Sequence, residues 1–112
     1  MDDWTKKRHQ FKRVTQPLTE LELLLKNAFD DHFPTAKVEL IRIREPLGFE
    51  ENNHLSIAFV YSFKEDFDYD QEMNFFWLVE SKLIEINEER FPLISYIEYE
   101  DYMENTPKEL LA

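Results

Sequence analysis

The sequence contains no cysteine and only one glycine among its 112 residues. Without cysteine, disulfides and thiolate metal sites are excluded. A single glycine argues against a glycine-rich phosphate-binding loop and for turns made by proline, asparagine and aspartate. No stretch approaches the ~18 apolar residues of a membrane-spanning helix, and the N-terminal MDDWTKKRHQFKR lacks an apolar signal core. We expect a soluble, cytoplasmic protein with no membrane partner, although a secreted protein whose signal peptide has been removed would share these features.

Basic residues are also scarce, because 13 bases stand against 24 acids and leave a net charge of −11. Such a chain repels nucleic-acid backbones and anionic membranes, so nucleic acid is an unlikely partner and a basic protein surface is favoured. The same net charge would also serve solubility alone. Hydrophobic residues make up 43% of the chain and aromatic residues 15%, which is enough for a core rich in rings.

The first sixteen residues depart from this composition, since they carry five bases and only two acids, for a charge of +3 against −14 in the rest of the chain. We predict a basic N-terminal arm or short helix over residues 1–16 and a single α+β domain over residues 17–112. The arm would lie on its own acidic body, or it would bind a partner. The bases concerned are Lys6, Lys7, Arg8, Lys12 and Arg13.

Six further elements follow from hydrophobic periodicity and turn residues. Pro17 and the capping-box pattern of Thr19 and Glu22 predict a helix over residues 17–33, which Phe33-Pro34 would end. Residues 37–44 and 54–63 are predicted to form adjacent strands. In the first strand the alternation of apolar residues changes face at Leu40-Ile41, which indicates either a bulge or cover on both faces. A long helix is predicted over residues 70–90, with Phe91-Pro92 as its stop, and a strand over residues 93–102. Thr106-Pro107 would begin a short C-terminal helix.

This order predicts an α+β two-layer sandwich, with a small, mainly antiparallel three-stranded sheet covered by two helices. A right-handed crossover through the long helix would place the last strand parallel to the second. If the last strand also paired with the first, the first would be central. We expect Leu93 and Ile97 of the last strand to face the core, and Ile94 and Tyr96 to face away from it.

The long helix has an apolar arc of about 200°, which is wider than the ~100° that packing on one layer requires. Met73, Trp77 and Ile84 form the excess. Either the first helix or the N-terminal arm covers these three residues, or they form a homodimer or partner interface, where Trp and Met are enriched.

Acids and aromatic rings interleave at the end of the predicted last strand. The pattern is typical of a charged edge strand that resists aggregation, or of an acidic surface that binds a basic cleft. The candidate partner-binding residues, with two acids that precede the long helix, are Glu98, Tyr99, Glu100, Asp101, Tyr102, Glu104, Asp66 and Asp68.

No catalytic, cofactor-binding or metal-binding residue is predicted. Asp66, Asp68 and Asp70 alternate like the opening of a calcium loop, but Gln71 and Trp77 occupy the positions where such a loop needs Gly and Glu. Asp68 or Asp70 is better explained as a helix N-cap. The three histidines lie on separate segments without metal-ligand spacing. We therefore expect no cofactor.

The composition and these patterns predict an acidic, non-enzymatic protein-interaction module. It would resemble an inhibitor of the immunity, antitoxin or nucleic-acid-mimic kind and would block a basic surface of its partner. The alternative is a homodimeric structural or accessory subunit that associates through the long helix.

Overall fold

The structure, a computed structural model, describes residues 11–44, 54–63 and 68–106, and for Phe63 the backbone alone. Within these ranges the chain forms four strands and three helices. In order they are β1 (Lys12–Arg13), α1 (Glu20–His32), β2 (Ala36–Arg44), β3 (His54–Phe63), α2 (Tyr69–Glu85), β4 (Phe91–Glu98) and α3 (Tyr99–Asn105). The predicted α+β class is therefore confirmed.

The strands form one mixed sheet in the order β1-β2-β3-β4, in which only β3 and β4 run parallel. The expected sheet of three mainly antiparallel strands is corrected accordingly. β1 adds a strand that is too short for any alternation to show in the sequence. The parallel arrangement of the last strand with β3 is confirmed. Because β4 pairs with β3 and not with β2, it lies at an edge of the sheet.

The predicted basic arm lies partly outside the described residues, which begin at Phe11. Within the described part, Lys12 pairs with Ile41 of β2. Its ammonium lies 2.7 Å from the carboxylate of Glu22 on α1. Val14 packs against the main core. The division into an arm over residues 1–16 and a domain from residue 17 stays a prediction.

Helix α1 has the predicted capping box at its N-terminus. The backbone N–H of Glu22 donates to the Thr19 hydroxyl at 3.1 Å, and the Thr19 N–H donates to the Glu22 carboxylate at 2.8 Å. These bonds satisfy two backbone donors that a helix start leaves open. Helix α1 ends at Phe33, whose N–H donates to the carbonyl of Phe29 at 2.8 Å, directly before Pro34.

The slip in β2 is a β-bulge, since the pairing register with β3 shifts between Val38 and Leu40. The bulge turns Val38 and Ile41 towards the same core cluster and Leu40 towards the other. Both predicted alternatives therefore hold, because the strand is bulged and is covered on both faces. A strict alternation would have placed Val38 and Leu40 on one face.

The main core lies between the sheet and the helices α1 and α2. Phe29 occupies its centre, with ring centroids 4.8 Å from those of Phe33 and Phe59 and 5.7 Å from that of Phe75. All four rings are at most 2% exposed. Each such side chain stabilises the fold by roughly 1.5–3 kcal/mol through burial. β3 presents its predicted core face here, with Leu55, Ile57, Phe59 and Tyr61.

A second, smaller cluster lies on the opposite face of the sheet, where Leu40 and Val60 pack under Tyr102 of α3. Phe11, Ile97 and Tyr99 contact this cluster from its rim. The expected arrangement of two layers with two covering helices is corrected, because a third helix covers part of the other face.

Helix α2 ends earlier than predicted. Its last residue is Glu85, and Asn87 adopts a left-handed backbone conformation with φ 61°. Asparagine tolerates this conformation and so commonly follows a helix end. Phe91-Pro92 does not stop the helix but begins β4, where a proline is acceptable because the strand lies at the sheet edge.

The strand predicted over residues 93–102 is corrected at both ends. β4 begins at Phe91 and ends at Glu98, and α3 begins at Tyr99. Its predicted faces are also reversed, because Ile94 and Tyr96 pack against the main core. Leu93 is 46% exposed. Of the C-terminal helix predicted from Thr106-Pro107, only Thr106 is described, and it caps α3.

Candidate partner surface

Helix α3 is held on the sheet by one aromatic side chain. Tyr102 is 5% exposed, and its ring packs edge-on against Phe11 with centroids 5.0 Å apart. Beneath it lie Leu40 and Val60. Tyr99 and Tyr102 are three residues apart, which is the spacing of one helical face. The structure thus places Tyr102, a predicted partner-binding residue, inside the protein, where it fixes the helix.

The acids of this segment lie on the outside of α3. From Glu98 to Asn105 the chain has four acids and no base, and the carboxylates of Glu98, Glu100, Asp101 and Glu104 are exposed. Within the part of the chain that the structure describes, none of the four forms an ion pair. We call these four residues, with the 38% exposed Met103, the acidic helix surface.

Some acids elsewhere in the described structure form ion pairs with bases. The Lys26 ammonium lies 2.7 Å from the Asp30 carboxylate, and the Arg90 guanidinium lies 2.6 Å from that of Glu88. Hydrogen bonds from Arg90 lower the pKa of Glu88 to about 2. Burial acts to raise the pKa of Glu22, but its hydrogen bonds with Lys12 and Thr19 lower it below the ordinary value. The acidic helix surface differs from these sites because it gathers four carboxylates without an ion pair on one short segment of the described chain.

A groove of about 250 Å³ borders the acidic helix surface where β3 and β4 end. Tyr61, Ser62, Glu98, Tyr99 and Glu100 line it. Carboxylates on two of these residues, beside a hydroxyl and two aromatic rings, suit the ammonium or guanidinium head and apolar stem of a basic side chain.

Of the two acids predicted to accompany this surface, the one that the structure describes lies elsewhere. Asp68 caps the N-terminus of α2, where the Gln71 N–H donates to its carboxylate at 2.7 Å and Gln71 returns a bond to the Asp68 N–H at 3.0 Å. This carboxylate therefore has a structural role on the other side of the sheet. Asp66 lies outside the described residues.

The excess apolar residues of α2 remain exposed. Met73 is 36%, Trp77 58% and Ile84 65% exposed, so α1 does not cover them. The apolar surface also extends beyond the helix to Phe91 of β4, which is 51% exposed. Leu93 is exposed as well, but strand alternation places it on the opposite face of β4 from Ile94 and Tyr96.

Sequence reasoning missed this extension, because Phe91-Pro92 was interpreted as a helix stop. The ring of Phe76 joins helix and strand, since its centroid lies 5.2 Å from that of Trp77 and 5.4 Å from that of Phe91. A groove of about 390 Å³ runs between Leu83, Ile84, Phe91 and Pro92. The alternation of Phe91 and Leu93 was the one signal that could have revealed the exposed strand face. We call Met73, Trp77, Ile84 and Phe91 the apolar edge surface.

No family model matches the chain, and no curated protein or solved structure matches it either. The part of the chain described here holds no group of three or more His, Asp or Glu side chains that could bind a metal ion. None of its helices is long and apolar enough to cross a membrane. Inference about function therefore rests on the two surfaces.

Proposed function

We propose that this protein is an acidic, non-enzymatic interaction module that binds and blocks a basic surface of a partner protein in the cytoplasm, in the manner of an immunity protein, an antitoxin or a nucleic-acid mimic. The observation that carries the proposal is the acidic helix surface. Among the described residues its four carboxylates form no ion pair and lie together on one short segment without a base, whereas Glu22, Asp30 and Glu88 are each paired with a base.

The mechanism would combine steering with occlusion. Uncompensated carboxylates attract a basic cleft over a distance of about 10 Å at 0.1 M salt and speed encounter. Met103 and the partly buried Tyr99 supply apolar contact once the charges have met. Because Tyr102 anchors α3 to the sheet, little conformational entropy would be lost on binding. A basic active site or nucleic-acid groove covered in this way is closed to its own substrate.

The test compares two triple variants in pull-downs from the native cell. Glu100→Gln, Asp101→Asn and Glu104→Gln together remove three of the four charges of the acidic helix surface. Glu20→Gln, Asp31→Asn and Glu85→Gln remove the same charge from exposed positions on α1 and α2. We expect the first variant to bind a basic partner at least about tenfold more weakly and the second to bind nearly as the wild type. Equal losses in both variants, a partner that is not basic, or binding unchanged between about 0.1 and 0.5 M salt would contradict the proposal.

The alternative, a homodimeric structural or accessory subunit, is favoured by the exposure of Met73, Trp77 and Ile84 on α2. Sedimentation equilibrium at high micromolar concentration tests it. A dimer that Trp77→Asp dissociates, and that Leu23→Asp on the exposed face of α1 leaves intact, would establish it. A monomer under these conditions would remove it.

A further inference from the structure

Strand β4 is an edge strand with unusually little protection. It is eight residues long and, among the described strands, it pairs with β3 alone. Its only charged residue is Glu98, at the very end, and its only proline is Pro92, near the start. Natural edge strands are commonly short or carry charges that prevent another strand from pairing. The opposite edge of the sheet follows that rule, because β1 has two residues, both basic.

The apolar edge surface lies beside this strand. Trp77 and Ile84 are the most exposed apolar residues of α2 after Tyr69, and Phe91 and Leu93 are about half exposed on β4. The groove between Ile84 and Phe91 gives this surface a concave part. A strand added to β4 would present alternate side chains to both faces of the sheet, and those on the α2 side would cover this surface.

The net charge of the region around β4 indicates which kind of segment could pair with it. From Tyr69 to Glu98 the chain has seven acids and two bases, so a second copy would bring a net charge of −5 against −5. Like charges brought together in this way oppose pairing. An extended segment that carries Lys or Arg meets no such opposition. Because β4 ends at Glu98 and continues directly into α3, such a segment would reach the acidic helix surface at one end.

We propose that the edge of β4 accepts an extended, basic segment of the partner protein as a fifth strand. Backbone hydrogen bonds along β4 hold the segment, its alternate apolar side chains contact Trp77, Ile84 and Phe91, and its Lys or Arg residues lie towards Glu98 and α3. This mode of binding is β-augmentation. The proposal rests on the proposed function and specifies how the basic partner docks.

The probe is a displayed library of random peptides of about twelve residues, selected against the full-length protein. We expect enriched peptides that combine Lys or Arg with apolar residues at alternate positions. One such peptide is synthesised with N-methyl groups on alternate residues. This removes the backbone N–H donors along one edge of the peptide and leaves the protein unchanged. Of the two possible N-methyl registers, we expect one to weaken binding by at least about tenfold, because strand addition uses only one edge of the peptide.

Matched protein variants locate the site. Leu93→Lys places a charge in β4, and Leu23→Lys places the same charge at a leucine of nearly equal exposure on α1, 46% against 47%. We expect about a tenfold loss of peptide affinity for the first and less than about a twofold loss for the second. Trp77→Ala is a second variant, on the apolar edge surface itself, and should also weaken binding.

Several outcomes would overturn the inference. One is an enrichment of such peptides no greater than that against an unrelated acidic protein. Others are peptides whose affinity is unchanged by either N-methyl register, or equal losses of affinity in Leu93→Lys and Leu23→Lys. A dimer of the protein in which the β4 amides are protected from hydrogen exchange would also overturn it. Different outcomes would refute the proposed function and the strand addition. Peptides that depend on the acidic helix surface but not on Leu93 refute strand addition alone, while strand addition that is insensitive to salt refutes the electrostatic mechanism alone.

Discussion

The two faces of the sheet are built differently. One face is covered by α1 and α2 over a core of four phenylalanine rings that are at most 2% exposed. The other face is partly covered by the seven-residue α3, held by Tyr102 over Leu40 and Val60. The first face carries most of the fold's hydrophobic stabilisation. The second presents unpaired charge on a short, anchored helix. The contrast places the main core and the acidic helix surface on opposite sides of one sheet.

The largest effect should follow from removing the central ring of the main core. Phe29→Ala is expected to lower the free energy of unfolding by about 3–5 kcal/mol, because it removes a fully buried ring and leaves a cavity among Phe33, Phe59 and Phe75. Urea denaturation measures the loss. The control is Phe91→Ala, whose ring is 51% exposed, and a similar loss in that variant would contradict this description of the core.

A smaller effect is expected on the other face. Tyr102→Ala should cost about 2 kcal/mol, because one ring is removed from a small cluster that solvent can reach more easily. It should also detach α3, which amide hydrogen exchange of residues 99–105 would show as faster exchange while β3 stays protected. A global loss as large as that of Phe29→Ala would mean that the two faces do not differ as we describe.

Asp68→Ala should cost about 1 kcal/mol, since it removes the cap of α2. Partner binding should be unchanged, in contrast to variants of the acidic helix surface. Thermal unfolding and the pull-down measure the two effects. Loss of binding at unchanged stability would return Asp68 to the predicted partner-binding set.

The Glu88–Arg90 pair should make a small, pH-dependent contribution. The pKa of Glu88 is held at about 2, below its ordinary value of 4.5, so the pair stabilises the folded state above about pH 4.5 and loses this effect as the pH falls towards 2. Both side chains remain partly exposed, at 19% and 23%, so we expect less than about 1 kcal/mol. Stability curves of the wild type and Glu88→Gln should differ at pH 7 and converge near pH 2.

The smallest effect on stability is expected from the acidic helix surface itself. Glu100→Gln, Asp101→Asn and Glu104→Gln together should change the free energy of unfolding by about 0.5 kcal/mol or less, because these carboxylates are exposed and unpaired within the described structure. Urea denaturation at pH 7 tests this. A marked destabilisation would assign the acids to the fold and not to recognition.

Local chemistry made several elements predictable. The capping box at Thr19, the core face of β3 and the slip in β2 all follow from short patterns, and each is found in the structure. The candidate site was predictable as composition, since the acids from Glu98 to Glu104 do lie on one segment. Its form was not. The spacing of Tyr99 and Tyr102 fits a helix as well as its neighbours fit a strand, and the contact of Tyr102 with the distant Phe11 accompanies the helical form.

The excess width of the apolar arc on α2 was also visible in the sequence. In the structure, two residues of this excess, Trp77 and Ile84, are exposed to solvent. What the periodicity could not show is the strand beside it. Phe91-Pro92 has the residue types of a helix stop, whereas the turn is made four residues earlier at Asn87.

The sequence by itself determined the α+β class, the acidic charge and most element positions, because periodicity, caps and net charge depend on neighbours along the chain. Only the tertiary structure decided that the last strand pairs, among the described strands, with β3, that α3 covers part of the second face and that the apolar edge surface is exposed. These features depend on contacts between distant residues, whose free energies a local pattern does not contain.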